Sequence, residues 1–102
     1  MKQIINGKMY NTETAEEIGA WSNGLGRNDF RNRDEILYRK KTGEFFLYGR
    51  GGALTNWADS CNGNMTCEGC GIEPLSIESA KQWIEKFLDA DKYVKYFGEV
   101  EE

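Results

Sequence analysis

Leu37-Tyr38-Arg39-Lys40-Lys41-Thr42-Gly43-Glu44-Phe45-Phe46-Leu47-Tyr48-Gly49-Arg50-Gly51-Gly52 consists of two runs rich in aromatic and branched residues that meet at a Thr-Gly dipeptide. Runs of this kind on either side of a turn predict a β-hairpin. Two turn geometries compete for it. A two-residue Thr42-Gly43 loop would demand positive φ at Thr42, which a β-branched residue resists. A three-residue Lys41-Thr42-Gly43 loop needs it only at Gly43, and is preferred. That register sets Tyr38 opposite Phe46 and Ile36 opposite Tyr48 on one face, with Leu37, Arg39, Phe45 and Leu47 on the other. Apolar groups then occupy both faces, and each must be covered or used.

Upstream, Gln3 to Ile5 is a short apolar run before the turn dipeptide Asn6-Gly7. Asn11 or Thr12 is a suitable N-cap. Glu13, Glu16 and Glu17 suit the positive end of a helix, so a short helix is predicted that buries Ala15, Ile18 and Trp21 and stops at Asn23-Gly24. Residues 24–34 read as a polar loop. Downstream, residues 49–71 are glycine-rich and polar, and are expected to form a long irregular loop. The only proline, Pro74, marks residues 72–75 as a short edge strand. Ser76 caps the clearest helix, whose stripe is Ile77, Ala80, Ile84, Phe87 and Leu88 with Trp83 at its border. A shorter helix restarts at Asp89 or Asp91, runs through Tyr93, Val94 and Phe97, and closes at Gly98. The acidic tail 99–102 is expected to fray.

The fold class these readings give is α+β, as a single domain over residues 1–102. An N-terminal short strand and helix precede a central antiparallel hairpin inside a three- or four-stranded sheet, and a C-terminal helix plus a short helix close the chain. At 102 residues the core must be modest. Net charge is −4, which argues against direct nucleic-acid binding, since neutralising phosphates takes a basic surface. The charge is uneven. Residues 27–41 hold six basic side chains (Arg27, Arg31, Arg33, Arg39, Lys40, Lys41) against three acidic ones (Asp29, Asp34, Glu35), which is +3 and leaves −7 for the remainder. Such a dipole can steer a charged partner, or can simply be a solvated loop and hairpin edge. No apolar run approaches the ~20 residues of a membrane span. The N-terminus lacks the hydrophobic stretch of a signal peptide, so a cytoplasmic location is expected.

Cys61, Cys67 and Cys70 form a C-x5-C-x2-C pattern. They could hold zinc with Asp59 or a residue of a partner as the fourth ligand, form a labile disulfide, or be incidental thiols. No metal or cofactor is expected, because structural zinc usually takes two Cys/His pairs and the chain has no histidine. The same lack removes the common general base, so no enzyme is expected. Gly49-Arg50-Gly51-Gly52 could cradle an anion or could simply turn the chain off the second strand. Trp57, a large aromatic in a polar segment, either folds back as a plug on the core or serves as a binding anchor.

Residues 5–15 (Ile-Asn-Gly-Lys-x-Tyr-x-Thr-Glu-Thr-Ala), 21–24 (Trp-x-Asn-Gly), 29–30 (Asp-Phe), 37–52, and Pro-Leu-Ser with an Ala-x-x-Trp helix at 74–83 together resemble a group of small accessory proteins. These come from phages, plasmids and integrated elements of Gram-positive bacteria, and some of them are anti-CRISPR proteins. Residues 58–70 depart from the pattern. The resemblance implies a stoichiometric protein binder acting on a host defence or CRISPR effector protein in the bacterial cytoplasm. Arg39, Tyr48, Arg50 and Trp57 are the expected partner-binding residues, with the remaining aromatics as core. A homodimer is a further expectation if one hairpin face stays uncovered.

Overall fold

The hairpin adopts the register that the three-residue loop predicts. In the computed structural model, which describes residues 1–26, 29–61 and 65–98, Tyr38 pairs with Phe46, Leu37 with Leu47 and Ile36 with Tyr48. The turn closes through Gly43 N to Lys40 O at 2.8 Å and Lys40 N to Glu44 O at 2.7 Å. Gly43 takes φ +93°, a conformation that costs glycine little and Thr42 a great deal.

Around this hairpin (β4, Arg33–Arg39; β5, Phe45–Gly51) the described residues build six further strands and two helices. β1 (Lys2–Ile5) and β2 (Lys8–Asn11) form a small hairpin over Asn6-Gly7, both at positive φ. β3 (Glu16–Ser22) and β8 (Gly69–Leu75) flank the central pair, giving an antiparallel four-stranded sheet ordered β3-β4-β5-β8. β6 (Asp59–Cys61) and β7 (Met65–Cys67) make a second short hairpin. Helices α1 (Ile77–Phe87) and α2 (Ala90–Phe97) follow, capped by Ser76 and Asp89 and closed by Gly98 at φ +85°. Pro74 sits on edge strand β8, where the missing N–H breaks no interior ladder.

Three expectations need correction. Residues 16–22 are strand β3, not a helix. The spacing of Ile18 and Trp21 imitates a helical stripe because a bulge between Glu17 and Gly19 turns Ile18 inward, where it is buried beside Leu37. Residues 49–71 are not one irregular loop either: they hold the end of β5, the β6–β7 hairpin and the start of β8. On α1, Trp83 is buried with Ala80 and Ile84, whereas Ile77 is exposed. The tail 99–102, and the thiols of Cys61 and Cys67, lie outside the described residues.

The sheet has apolar residues on both faces, and each face is treated differently. One carries Ile18, Leu37, Phe45 and Leu47 and is covered by α1 and α2 through Ala80, Trp83, Ile84 and Phe97. The other carries Tyr38, Phe46, Tyr48 and Ile72, and Tyr10 packs there edge-on to Phe46 at 5.4 Å between ring centres. Among the described residues no helix is long and apolar enough to cross a membrane.

Candidate functional site

On the helix-covered face, one cross-strand row reads Trp21, Glu35, Gly49, Gly71. Glu35 is only 5% exposed, and a buried carboxylate is costly unless its oxygens find donors. Two indoles supply them. Trp83 Nε1 of α1 donates to Oε1 at 2.9 Å, and Trp57 Nε1 donates to Oε2 at 2.7 Å. Arg33, stacked over Trp21, places its Nε 3.8 Å from Oε2. The Trp57 ring lies on Gly49 so closely that a Cβ there would overlap it. Trp57 is therefore the plug of the two readings open in the sequence.

Arg39 lies on the same face. Its Nη2 donates to Glu16 Oε1 at 2.9 Å, and its guanidinium covers the Tyr96 ring at 5.0 Å. Tyr96 donates to the other oxygen of Glu16, also at 2.9 Å. That bond first, and Arg39 second, hold the Glu16 carboxyl below its ordinary pKa.

Tyr48 and Arg50 point the opposite way. Two rows cross that face: Ala20, Ile36, Tyr48 and Ile72, then Ser22, Asp34, Arg50 and Cys70. The first hairpin covers the neighbouring part around Phe46, but Ala20, Ser22 and Cys70 stay exposed and Ile36, Tyr48 and Arg50 half-buried. Asp34, Ile36, Tyr48 and Arg50 line a hollow of about 230 Å³. Arg50 Nη2 donates to Asp34 Oδ2 at 3.1 Å, and Asn32 Nδ2 donates to the same oxygen at 3.3 Å. The Asp34 carboxyl is held below its usual range, chiefly by the Ser22 hydroxyl and then by Arg50 and Asn32. Tyr48 titrates above its ordinary range, first through burial and then through its contacts with the Cys70 thiol. The Gly49-Arg50-Gly51-Gly52 stretch is no anion cradle by geometry. Its first three residues are β5, and Thr55 and the Phe30 carbonyl fill the space beside Gly51 and Gly52.

The chain matches no protein-family model, no curated protein and no solved structure. The site is thus read from its own geometry. Of the four expected residues the structure brings Tyr48 and Arg50 together, and sets Arg39 and Trp57 on the far face in separate clusters. Ile36, which the hairpin register already sets opposite Tyr48, and Asp34, which the same register pairs with Arg50, complete the hollow; Ser22, which lowers the Asp34 pKa, joins that row only through the register of β3. Among the described residues no group of three His, Cys, Asp or Glu side chains could hold a metal ion.

Proposed function

We propose that this protein is a non-catalytic, stoichiometric inhibitor carried by a phage or mobile element, which docks on a host CRISPR effector through the open half of its sheet. One observation carries the docking surface. Among the described residues, half of one sheet face stays uncovered although it holds Ile36 and Tyr48, and its Arg50–Asp34 pair is already in place. A firm apolar floor with a pre-set charged pair binds without ordering costs, which is what a protein-docking surface requires. The resemblance of residues 5–15, 21–24, 29–30, 37–52 and 74–83 supplies the biological setting.

A small-ligand site centred on the segment after Gly49 has weaker support, because Thr55 and Phe30 occupy that space. The deeply buried carboxylate, Glu35, is consumed by two indole donors, which favours a structural role over a catalytic one.

The test is co-migration of the purified protein with purified CRISPR effector ribonucleoproteins, read together with target cleavage. Binding at near-equal stoichiometry and loss of cleavage are expected, and both should be abolished by Tyr48→Ala with Arg50→Ala. Intact cleavage by every effector tried would reject the CRISPR reading. Tight binding by the double variant would reject the surface.

A further inference from the structure

At the end of β4 away from Asp34 the sheet holds a notch that the docking surface does not use. Glu16 and Arg39 are the last partners of β3 and β4. Beyond them the chain parts, with Thr14 and Ala15 on one side and the turn 40–43 on the other, and the space between is a cavity of about 430 Å³. A second hollow of about 180 Å³ adjoins it. Thr14, Ala15, Lys40, Lys41 and Thr42 line both, and Met9 and Asn11 line the smaller one. Both walls are fixed. Gly43 N donates to Lys40 O and Lys40 N to Glu44 O across the turn, while Thr14 N and Ala15 N both donate to Asn11 O, at 3.3 and 3.2 Å.

The notch is cationic, and its charges are not all engaged. Arg39 is, through Glu16 and the Tyr96 ring. Lys40 is not. Its side chain is only 17% exposed, and a desolvated ammonium has three N–H donors to satisfy. It meets the Tyr10 ring at 4.2 Å and Glu44 Oε1 at 3.5 Å, a long and therefore weak bond. Glu44 is shared as well: Oε2 accepts from Lys8 Nζ at 3.2 Å, and Oε1 also accepts from the Thr42 hydroxyl at 3.3 Å. Lys41 is exposed and has no ion pair among the described residues. Arg39 and Glu16 cancel. Lys8, Lys40 and Lys41 against Glu44 then leave an excess of two positive charges here, in a chain whose net charge is −4.

We propose that this notch binds a small phosphate monoester, with the phosphate between Lys40 and Lys41 and the organic part against Met9 and Ala15. A phosphate monoester carries about −1.5 to −2 at pH 7, which matches the local excess, whereas a carboxylate brings a single charge. Its oxygens offer Lys40 the charge-assisted bonds that Glu44 supplies only at long range, and the Thr14 and Thr42 hydroxyls lie within the same lining. The cavity is larger than bare phosphate needs and falls within the roughly 300–1,000 Å³ of small-molecule sites. Met9, 49% exposed, gives the organic part an apolar rest. An extended polyanion suits the chain less, because everything outside residues 27–41 sums to −7. The site is at the far end of β4 from Asp34 and Arg50, and holds whatever docks there.

The test follows backbone amide resonances while the protein is titrated with AMP, inorganic phosphate and sulfate in about 0.15 M sodium chloride, which screens loose pairing. AMP should saturate with a Kd below about 1 mM, tighter than either inorganic ion, and its shifts should be confined to residues 9–16 and 39–44. Lys40→Met and Lys41→Met should each weaken AMP binding about fivefold or more. Lys86→Met, which removes the same charge from α1, should leave it unchanged. Lys41 is exposed, so its variant reads the site even where Lys40→Met disturbs folding. Failure of both AMP and phosphate to saturate by about 10 mM would overturn the proposal. So would shifts centred elsewhere, or undiminished affinity in Lys41→Met. Sulfate bound as tightly as AMP would mean an adventitious ion only, and a single-stranded oligothymidylate bound more tightly than AMP would assign the notch to a nucleic-acid backbone; either result rejects the small-ester reading.

Discussion

Trp57 and Glu35, 22 residues apart in the chain, are joined by an indole N–H to carboxylate bond of 2.7 Å. With Trp83 on the other oxygen, this fastens the segment after β5 and helix α1 to one point of the sheet. A buried acid of this kind is stabilising only while both donors remain. Trp57→Phe keeps most of the apolar cover and removes one donor, so a loss of about 1.5–3 kcal/mol is expected from a hydrogen bond to a charged group. Glu35→Gln turns an amide N–H₂ toward one indole N–H, and should cost a similar amount. Urea midpoints measure both, and unchanged midpoints would show that the clamp contributes nothing.

Gly49→Ala tests the same clamp from below. The new methyl group overlaps the Trp57 indole, whereas at Gly71 the nearest atom, on the same ring, stands 3.9 Å away. Gly49→Ala should therefore expel the indole, cost about 1–3 kcal/mol as overpacking does, and shift tryptophan emission to the red. Gly71→Ala should leave emission in place.

What could be read in advance divides along these contacts. The hairpin register was legible because one residue, Gly43, settles the turn chemistry locally. The C-terminal helices were legible from Ser76, Asp89 and Gly98, whose capping roles need no tertiary partner. β3 was not, because its bulge at Glu17 and Gly19 breaks the two-residue alternation by which strands are recognised. Residues 49–71 looked irregular because glycine is depleted in strands, yet Gly49 is glycine in β5 because an indole lies against it. The Glu35, Trp57 and Trp83 cluster was illegible for a simpler reason: its members come from three distant segments, and only the fold brings them together. The candidate surface was half legible. Tyr48 and Arg50 share a face by alternation and the hairpin register sets Ile36 and Asp34 opposite them, but Ser22 joins only through the pairing of β3 with β4.

Asp34 gives the open face a pH dependence of definite sign. Its folded pKa is depressed by Ser22 first, then Arg50 and Asn32, so the charged form favours the folded state. The stabilisation is complete above the ordinary value near ~3.9 and is lost as pH falls through the lower folded value. Wild-type stability should therefore fall more steeply below about pH 4 than that of Asp34→Asn, as judged from urea midpoints at a series of pH values. Parallel profiles would show that the Asp34 charge carries no stabilisation.

Arg39 should report on α2 and not on binding. That helix has no buried residue, and its hold on the sheet is peripheral. Phe97 lies 5.4 Å from Phe45 between ring centres, and Tyr96 shares Glu16 with Arg39 while lying under its guanidinium. Arg39→Ala removes the stack and one of the two donors on Glu16, but leaves Tyr96 a direct bond to that carboxylate. The global cost should stay within about 1 kcal/mol, as for exposed ion pairs. Local opening is more sensitive, because a short helix without buried residues sits at the low-stability end of the fold. Amide exchange of residues 93–97 should accelerate several-fold while β4 and β5 keep their protection. Equal acceleration throughout would mean that α2 opens only with the whole domain, and unchanged exchange would mean that Phe97 and the Tyr96–Glu16 bond secure the helix without Arg39.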